Sequence, residues 1–142
     1  MRIAKILFVT IFIVLVFTSG SSEKQNTKYD KITVNFSKPK KMNTSWYGVK
    51  FHNKKTASGE RFNATFLTAA HRYLPIGTRL KVINPKNNRF VVVRVNDRGP
   101  FHSNRDLDLS LRAAQELGIV DIGVAELIVY RITTIHRKKK KL

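Results

Sequence analysis

Residues 91–110, VVVRVNDRGPFHSNRDLDLS, hold three of the chain's nine acidic residues, Asp97, Asp106 and Asp108. Asp97 follows a largely β-branched run broken by Arg94. A carboxylate at a strand end has a rigid support and can face a groove, and Arg98-Gly99-Pro100 then turns the chain sharply. The same position also suits a turn aspartate bonded to its own backbone. Asp108 precedes Ser110 and a helical pattern, so it reads either as a helix-entry carboxylate or as a catalytic one. Asp106 reads as solvated. Glu60 ends the polar loop Lys55-Thr56-Ala57-Ser58-Gly59-Glu60, whose small residues let a ligand approach the backbone. His71 ends Thr68-Ala69-Ala70-His71, just before the turn Leu74-Pro75-Ile76-Gly77. Carboxylates and a histidine near loops suit acid–base work on an uncharged leaving group, such as a glycosidic oxygen. Trp46, Tyr47, Phe51 and Tyr73 could stack on sugar faces or fill a core. The four histidines, at 52, 71, 102 and 136, show no paired metal-ligand spacing, so no metal is expected. Neither a phosphate loop, a catalytic cysteine nor a Gly-x-Ser-x-Gly elbow occurs, and no cofactor is expected.

These groups need a frame. Strand signals recur over about 42–135. Trp46 to Phe51 is aromatic-rich. Arg79 to Ile83 and Arg89 to Val95 flank the turn cluster Asn-Pro-Lys-Asn-Asn and predict a hairpin. Leu127 to Ile135 alternates and predicts a closing strand. Two stretches read as helical. One is Phe66 to Tyr73. The other is Ser110 to Leu117, with Ser110 as N-cap, Gly118 as stop, and Leu111, Ala114 and Leu117 on one face. Many short strands with Gly, Pro and Asn breaks predict a small β-barrel, which leaves few open edges.

The ends differ from this unit. Residues 1–20 carry a short basic front, the apolar run Ile6 to Phe17, and small residues Thr18-Ser19-Gly20, the layout of a secretory signal peptide. An uncleaved anchor and a buried helix are the alternatives. Residues 21–41 read as a basic flexible linker, with Ile32, Val34 and Phe36 alternating as a short added strand would. Residues 136–142, HRKKKKL, read as a solvated basic tail. There is no cysteine, hence no disulfide and no lipid-modified N-terminus. In an exported protein a net charge of +18 points to anionic wall polymers and membrane surfaces rather than nucleic acid.

Taken in order and spacing, Ser45-Trp46-Tyr47-Gly48, the loop 55–60, Leu67-Thr68-Ala69-Ala70-His71, Leu74-Pro75-Ile76-Gly77-Thr78, the segment 92–101 and Asp108-Leu109-Ser110 resemble the RlpA family of endolytic peptidoglycan transglycosylases. The likeness covers about 44–132. It implies a mainly β fold, a six-stranded double-psi β-barrel with one or two short helices. It implies cleavage of peptidoglycan glycan strands between N-acetylmuramic acid and N-acetylglucosamine, leaving 1,6-anhydro ends, with a preference for peptide-free strands. It carries catalytic roles to Asp97 (general acid and base), Glu60 and His71. Tyr47, Thr56, Ser58, Thr68, Arg98 and Asp108 become the expected substrate-binding set. Family members are often lipoproteins with a C-terminal glycan-binding domain, and this sequence has neither that cysteine nor an evident further domain. Asp106 stands where the family usually has an apolar residue. A monomer is expected. The competing reading is a non-catalytic peptidoglycan-binding module, or a wall-loosening one like the expansins.

Overall fold

The computed structural model describes residues 29–102 and 104–138. The expected signal peptide, most of the linker's first half and the last four residues of the tail lie outside them. Seven strands form one sheet: β1 (Tyr29–Phe36), β2 (Lys40–Trp46), β3 (Thr68–His71), β4 (Arg79–Ile83), β5 (Phe90–Asp97), β6 (Leu107–Leu109) and β7 (Ala125–Lys138). One helix, α1 (Leu111–Leu117), lies between β6 and β7. The lateral order is β1-β7-β2-β6-β3-β5-β4, and β4 pairs back onto β7. Six strands therefore close a barrel, as expected, and β1 lies outside the ring, paired with β7.

The β4–β5 hairpin and the β7 closing strand form where patterning places them. Alternation explains their facing. Leu80 and Val82, Val91, Val93 and Val95, and Leu127 and Val129 point inward and are buried. Leu107 and Leu109 of β6 complete the interior, and Ala113, Ala114 and Leu117 of α1 join the same cluster. The helix ends follow local chemistry. Ser110 accepts from the Ala113 N–H, and Gly118 takes the left-handed conformation that stops the helix. The last carbonyl of α1 is satisfied from outside the helix: Asn84 and Asn87, in the hairpin turn, both donate to Leu117 O, at 2.9 and 3.0 Å. Asn84 is buried and also accepts from the Lys86 N–H. Asn84→Ala should therefore lower unfolding stability by about 1–3 kcal/mol in urea titration, whereas an exposed turn residue such as Lys86 should tolerate alanine.

Three expectations are corrected. Phe66 to Tyr73 does not form a helix. Thr68–His71 is strand β3, parallel to β5 and antiparallel to β6. Thr68, Ala69 and Ala70 are all buried, so the strand shows no alternation to distinguish it from a helix. The aromatic stretch 46–51 is not a strand. β2 ends at Trp46, and Val49–Phe51 is a 3₁₀ turn after extended Gly48. Within the expected linker, residues 29–36 and 40–41 are in strands, so the short added strand is what forms there, one edge paired with β7. β7 itself runs to Lys138, into the stretch read as tail.

Candidate active site

A groove of about 550 Å³ opens at one end of the barrel. Strand register explains which carboxylates reach it. Ser45 of β2 pairs with Asp108 of β6; Asp108 pairs with Ala70 of β3; Ala70 pairs with Asp97 of β5. The four residues form one row across four strands, with small Ala70 between the two aspartates. Asp97 and Asp108 both line the groove, together with Tyr47 and Arg98.

Each aspartate is fixed by one oxygen. Asp97 Oδ1 accepts from the Ala57 N–H (2.9 Å) and from the Arg98 N–H (2.8 Å), while its Oδ2 accepts from none of the described residues. Gly99, at φ +127°, then turns the chain in a conformation that side-chain-bearing residues rarely adopt. Asp108 Oδ1 accepts from the Ser45 hydroxyl, and Arg105 Nη1 donates to that same hydroxyl at 3.0 Å. Asp108 is thus a groove carboxylate inside a strand and not a helix-entry residue; Ser110 alone caps α1. Asp106 is not simply solvated. Its carboxylate accepts from the Asn43 N–H and its own N–H donates to Asn43 O, which locks β2 to the start of β6.

The other expected residues stand around this centre without lining it. Glu60 is exposed and makes a bidentate pair with Arg94, 2.8 Å at both oxygens, plus a contact from Asn96 Nδ2 at 3.3 Å. The hydrogen bond from Arg94, then that from Asn96, holds its carboxyl below the usual carboxylate range. Thr56 and Ser58 share a hydroxyl bond, Thr56 also donates to Glu60 O, and the Ser58 N–H donates to Asn96 O. These bonds dock the 56–60 loop on the end of β5 and so deliver the Ala57 N–H to Asp97. Thr68 is buried in β3 and its hydroxyl faces no protein partner among the described residues.

His71 Nδ1 accepts from the Tyr73 and Leu74 N–H groups, at 3.1 and 3.0 Å, so the neutral ring carries its proton on Nε2. Burial, followed by the charge of Lys40, lowers its pKa, against the pull of Asp106. The unfolded chain takes up the His71 proton first, so stability falls as pH drops below about 6.5. Melting curves between pH 5 and 7.5 should show a shallower acid decline in His71→Asn than in wild type, because the asparagine oxygen can accept the same two N–H groups without titrating. Equal declines would remove His71 as the source.

Tyr47 packs edge-on against Phe62, with ring centroids 4.7 Å apart, and its buried hydroxyl finds no partner among the described residues. Burial first, then the charges of Asp97 and Asp108, push its pKa upward, so it stays a neutral donor beside them. Removing an unpaired buried hydroxyl costs little. Tyr47→Phe should keep or slightly raise the melting temperature and still weaken glycan turnover, about 3–30-fold. A large drop in melting temperature would make Tyr47 a packing residue instead.

Three contributors carried no local signal: Ser45 and Arg105 beside Asp108, and Arg72. Arg72 Nε donates to Pro100 O at 2.7 Å, and its Nη2 donates to His102 O at 2.9 Å and to Arg105 O. In the other direction, Arg98 Nη1 donates to His71 O and Leu74 O. The two arginines tie the β3–β4 turn and the β5–β6 loop to one another. Among the described residues no cluster of three or more His, Asp or Glu could hold a metal ion.

The closed six-stranded ring with its single α-helix among the described residues is that of a double-psi β-barrel. Two solved structures share the fold: a Streptomyces papain inhibitor (TM-score 0.55, 20% identity, 71% of this chain and 99% of that one) and a Clavibacter michiganensis expansin mutant in complex with cellohexaose (TM-score 0.51, 22% identity, 72% and 53%). The family model described as lytic transglycolase matches residues 40–130, and the chain belongs to that family. Among similar proteins, the endolytic peptidoglycan transglycosylase RlpA of Neisseria meningitidis is 52% identical over 90 residues, 63% of this chain and 38% of that one. The probable RlpA of Synechocystis is 60% identical over 80 residues, 56% and 25%. The chain thus spans well under half the length of these relatives.

Proposed function

We propose that the protein is a lytic transglycosylase acting on the glycan strands of peptidoglycan. The observation that carries this reading is the placement of Asp97 in the groove lining, with Oδ1 anchored by two backbone N–H groups and Oδ2 bonded by none of the described residues. With Oδ1 so occupied, the working proton belongs on Oδ2. Asp97 gives that proton to the glycosidic oxygen as the bond from muramic C1 breaks, freeing the N-acetylglucosamine 4-hydroxyl. The muramic 6-hydroxyl oxygen then bonds to C1, and its proton passes to the Asp97 carboxylate. The ring closes as a 1,6-anhydro sugar, no water is consumed, and Asp97 returns to its starting state. Attack within one sugar is favoured because the reacting groups are already held together. Asp108, across Ala70 from Asp97, and Tyr47 orient the sugars. Arg98 holds the turn behind Asp97. Glu60 and His71 act through neighbours, Glu60 by fastening β5 and the Ala57 loop, His71 by its carbonyl on Arg98.

The substrate class is peptide-free glycan, in wall remodelling or daughter-cell separation. The setting is the cell envelope, reached by export with residues 1–20 as leader. The basic linker and tail add attraction to anionic envelope surfaces, and the chain works as a monomer. The second reading, a non-catalytic wall-binding module, is favoured by the engagement of Glu60 with Arg94, which leaves two carboxylates in the groove. Incubation with peptide-free glycan strands separates the two. Mass spectrometry should find 1,6-anhydro products. Pelleting with sacculi without such products would leave only the binding module.

A further inference from the structure

Opposite in character to the groove is the outer face of β1, β7, β4 and β5. Several of the residues that alternate away from the core there are apolar and uncovered, set beside the cations Arg79 and Lys81: Phe36 is 52% exposed, Phe90 59% and Val92 39%. They are contiguous by register. Lys81 of β4 pairs with Tyr130 of β7 on one side and with Val92 of β5 on the other. Phe36 packs edge-on against Tyr130, with centroids 6.2 Å apart. At the centre, the Lys81 ammonium lies over the Phe36 ring (5.7 Å) and over the Phe90 ring (4.7 Å). Soluble monomers seldom leave a contiguous apolar patch without a use for it.

We propose that this face docks on the surface of an anionic phospholipid bilayer. Three features select that occupant. Aromatic and aliphatic side chains around a lysine match the interfacial zone of a bilayer, where rings enter the headgroup boundary and the ammonium turns up to the phosphates. A sugar would need the ring faces, and Lys81 already occupies a face of both Phe36 and Phe90. A second copy would bring Lys81 and exposed Arg79 against their own counterparts, in a chain of net charge +18. The strand that carries Tyr130 continues to Arg137 and Lys138, and the sequence goes on with Lys139, Lys140 and Lys141. Apolar contacts on a surface combined with basic residues in the same chain are the usual two-part attachment to anionic lipid. The proposal stands apart from the glycan chemistry, because it uses none of the groove residues.

The chain has no cysteine, so one introduced thiol reports one place. Full-length protein carrying Val92→Cys with a polarity-sensitive fluorophore is mixed with phosphatidylglycerol vesicles. The expected result is a blue shift that is absent with phosphatidylcholine vesicles and reversed by high salt. A label at Gln115→Cys, on α1, should not respond. Because any N-terminal tether is common to both labels, only docking of this face separates them. Adding Phe36→Ser and Phe90→Ser, or Lys81→Glu, should reduce the shift at position 92 at least about tenfold at fixed lipid. No shift on anionic vesicles, or equal shifts at 92 and 115, overturns the proposal. A shift with sacculi but not vesicles would assign the face to glycan, and a protein-concentration-dependent shift without lipid would assign it to self-association. Either result also overturns it. Melting temperatures of the serine and glutamate variants equal to wild type confirm that they remain folded.

Discussion

Asp97→Asn should lower turnover of peptide-free glycan strands by about 10²–10⁴-fold and leave the fold unchanged. The substitution is nearly isosteric. An asparagine carbonyl oxygen can accept the same N–H groups of Ala57 and Arg98 that hold Oδ1. What it cannot do is carry a proton to the glycosidic oxygen and take one back from the 6-hydroxyl. The loss therefore belongs in kcat, with sacculus binding retained, and melting should stay within about 1 °C of wild type. Asp97→Ala is the harsher variant, since it strands two N–H groups at the loop contact and should also loosen residues 56–60. Equal 1,6-anhydro yields from wild type and Asp97→Asn would remove Asp97 from the chemistry. In that case Asp108, the other groove carboxylate, is next to test.

That prediction rests on a row of residues the sequence displays only in pieces. The caps of α1 were legible because Ser110 and Gly118 act on their own helix. The hairpin was legible because Asn and Pro mark its turn and alternation marks its arms. Asp97 was legible as a strand-end carboxylate for the same reason. Its neighbour across Ala70 was not. Asp108 meets Asp97 through two non-local pairings, β3 with β5 and β3 with β6, and no local pattern specifies a register between strands so far apart in sequence. The misread β3 shows the same limit. A four-residue strand buried on both faces has no period to read, and Thr-Ala-Ala-His suits a helix as well by propensity. The resemblance pointed to Asp97, Glu60 and His71 together, yet Glu60 spends both oxygens on Arg94 and His71 spends Nδ1 on two backbone groups. Motif order preserves which residues recur. It does not separate those that touch a groove from those that hold its walls. Asp106 is the reverse case, a residue the resemblance left unexplained that still has a structural task, bonding Asn43 of β2 at the start of β6.

Arg72 provides the second large effect, because one guanidinium secures an entire wall of the groove. Its three acceptors, Pro100 O, His102 O and Arg105 O, are spread over the β5–β6 loop. That loop carries Phe101, which is 84% exposed at the groove's lip, and Arg105, whose bond to Ser45 sits behind Asp108. Arg72→Ala removes all three donors at once. Hydrogen bonds from charged groups are worth about 1.5–3 kcal/mol each, but they share one side chain and water can replace some of them, so a net loss of about 2–3 kcal/mol is expected. kcat/KM should fall as well, by about 10–100-fold, since a misplaced wall misplaces the sugar relative to an otherwise intact Asp97. Arg72→Lys tests the geometry. An ammonium is a compact point donor and cannot span acceptors that the planar fork reaches together, so lysine should restore charge and little activity. Amide exchange at Arg105, whose N–H donates to His102 O, should rise in both variants, while that at Ala57, whose N–H donates to Asp97 Oδ1, stays protected. Full activity in Arg72→Lys would mean that positive charge beside the loop suffices. Unchanged exchange at Arg105 would mean that the wall holds without its clamp. The predicted pattern instead separates two functions within one groove: a carboxylate fixed by the end of β5, and a substrate wall fixed by an arginine from β3's exit.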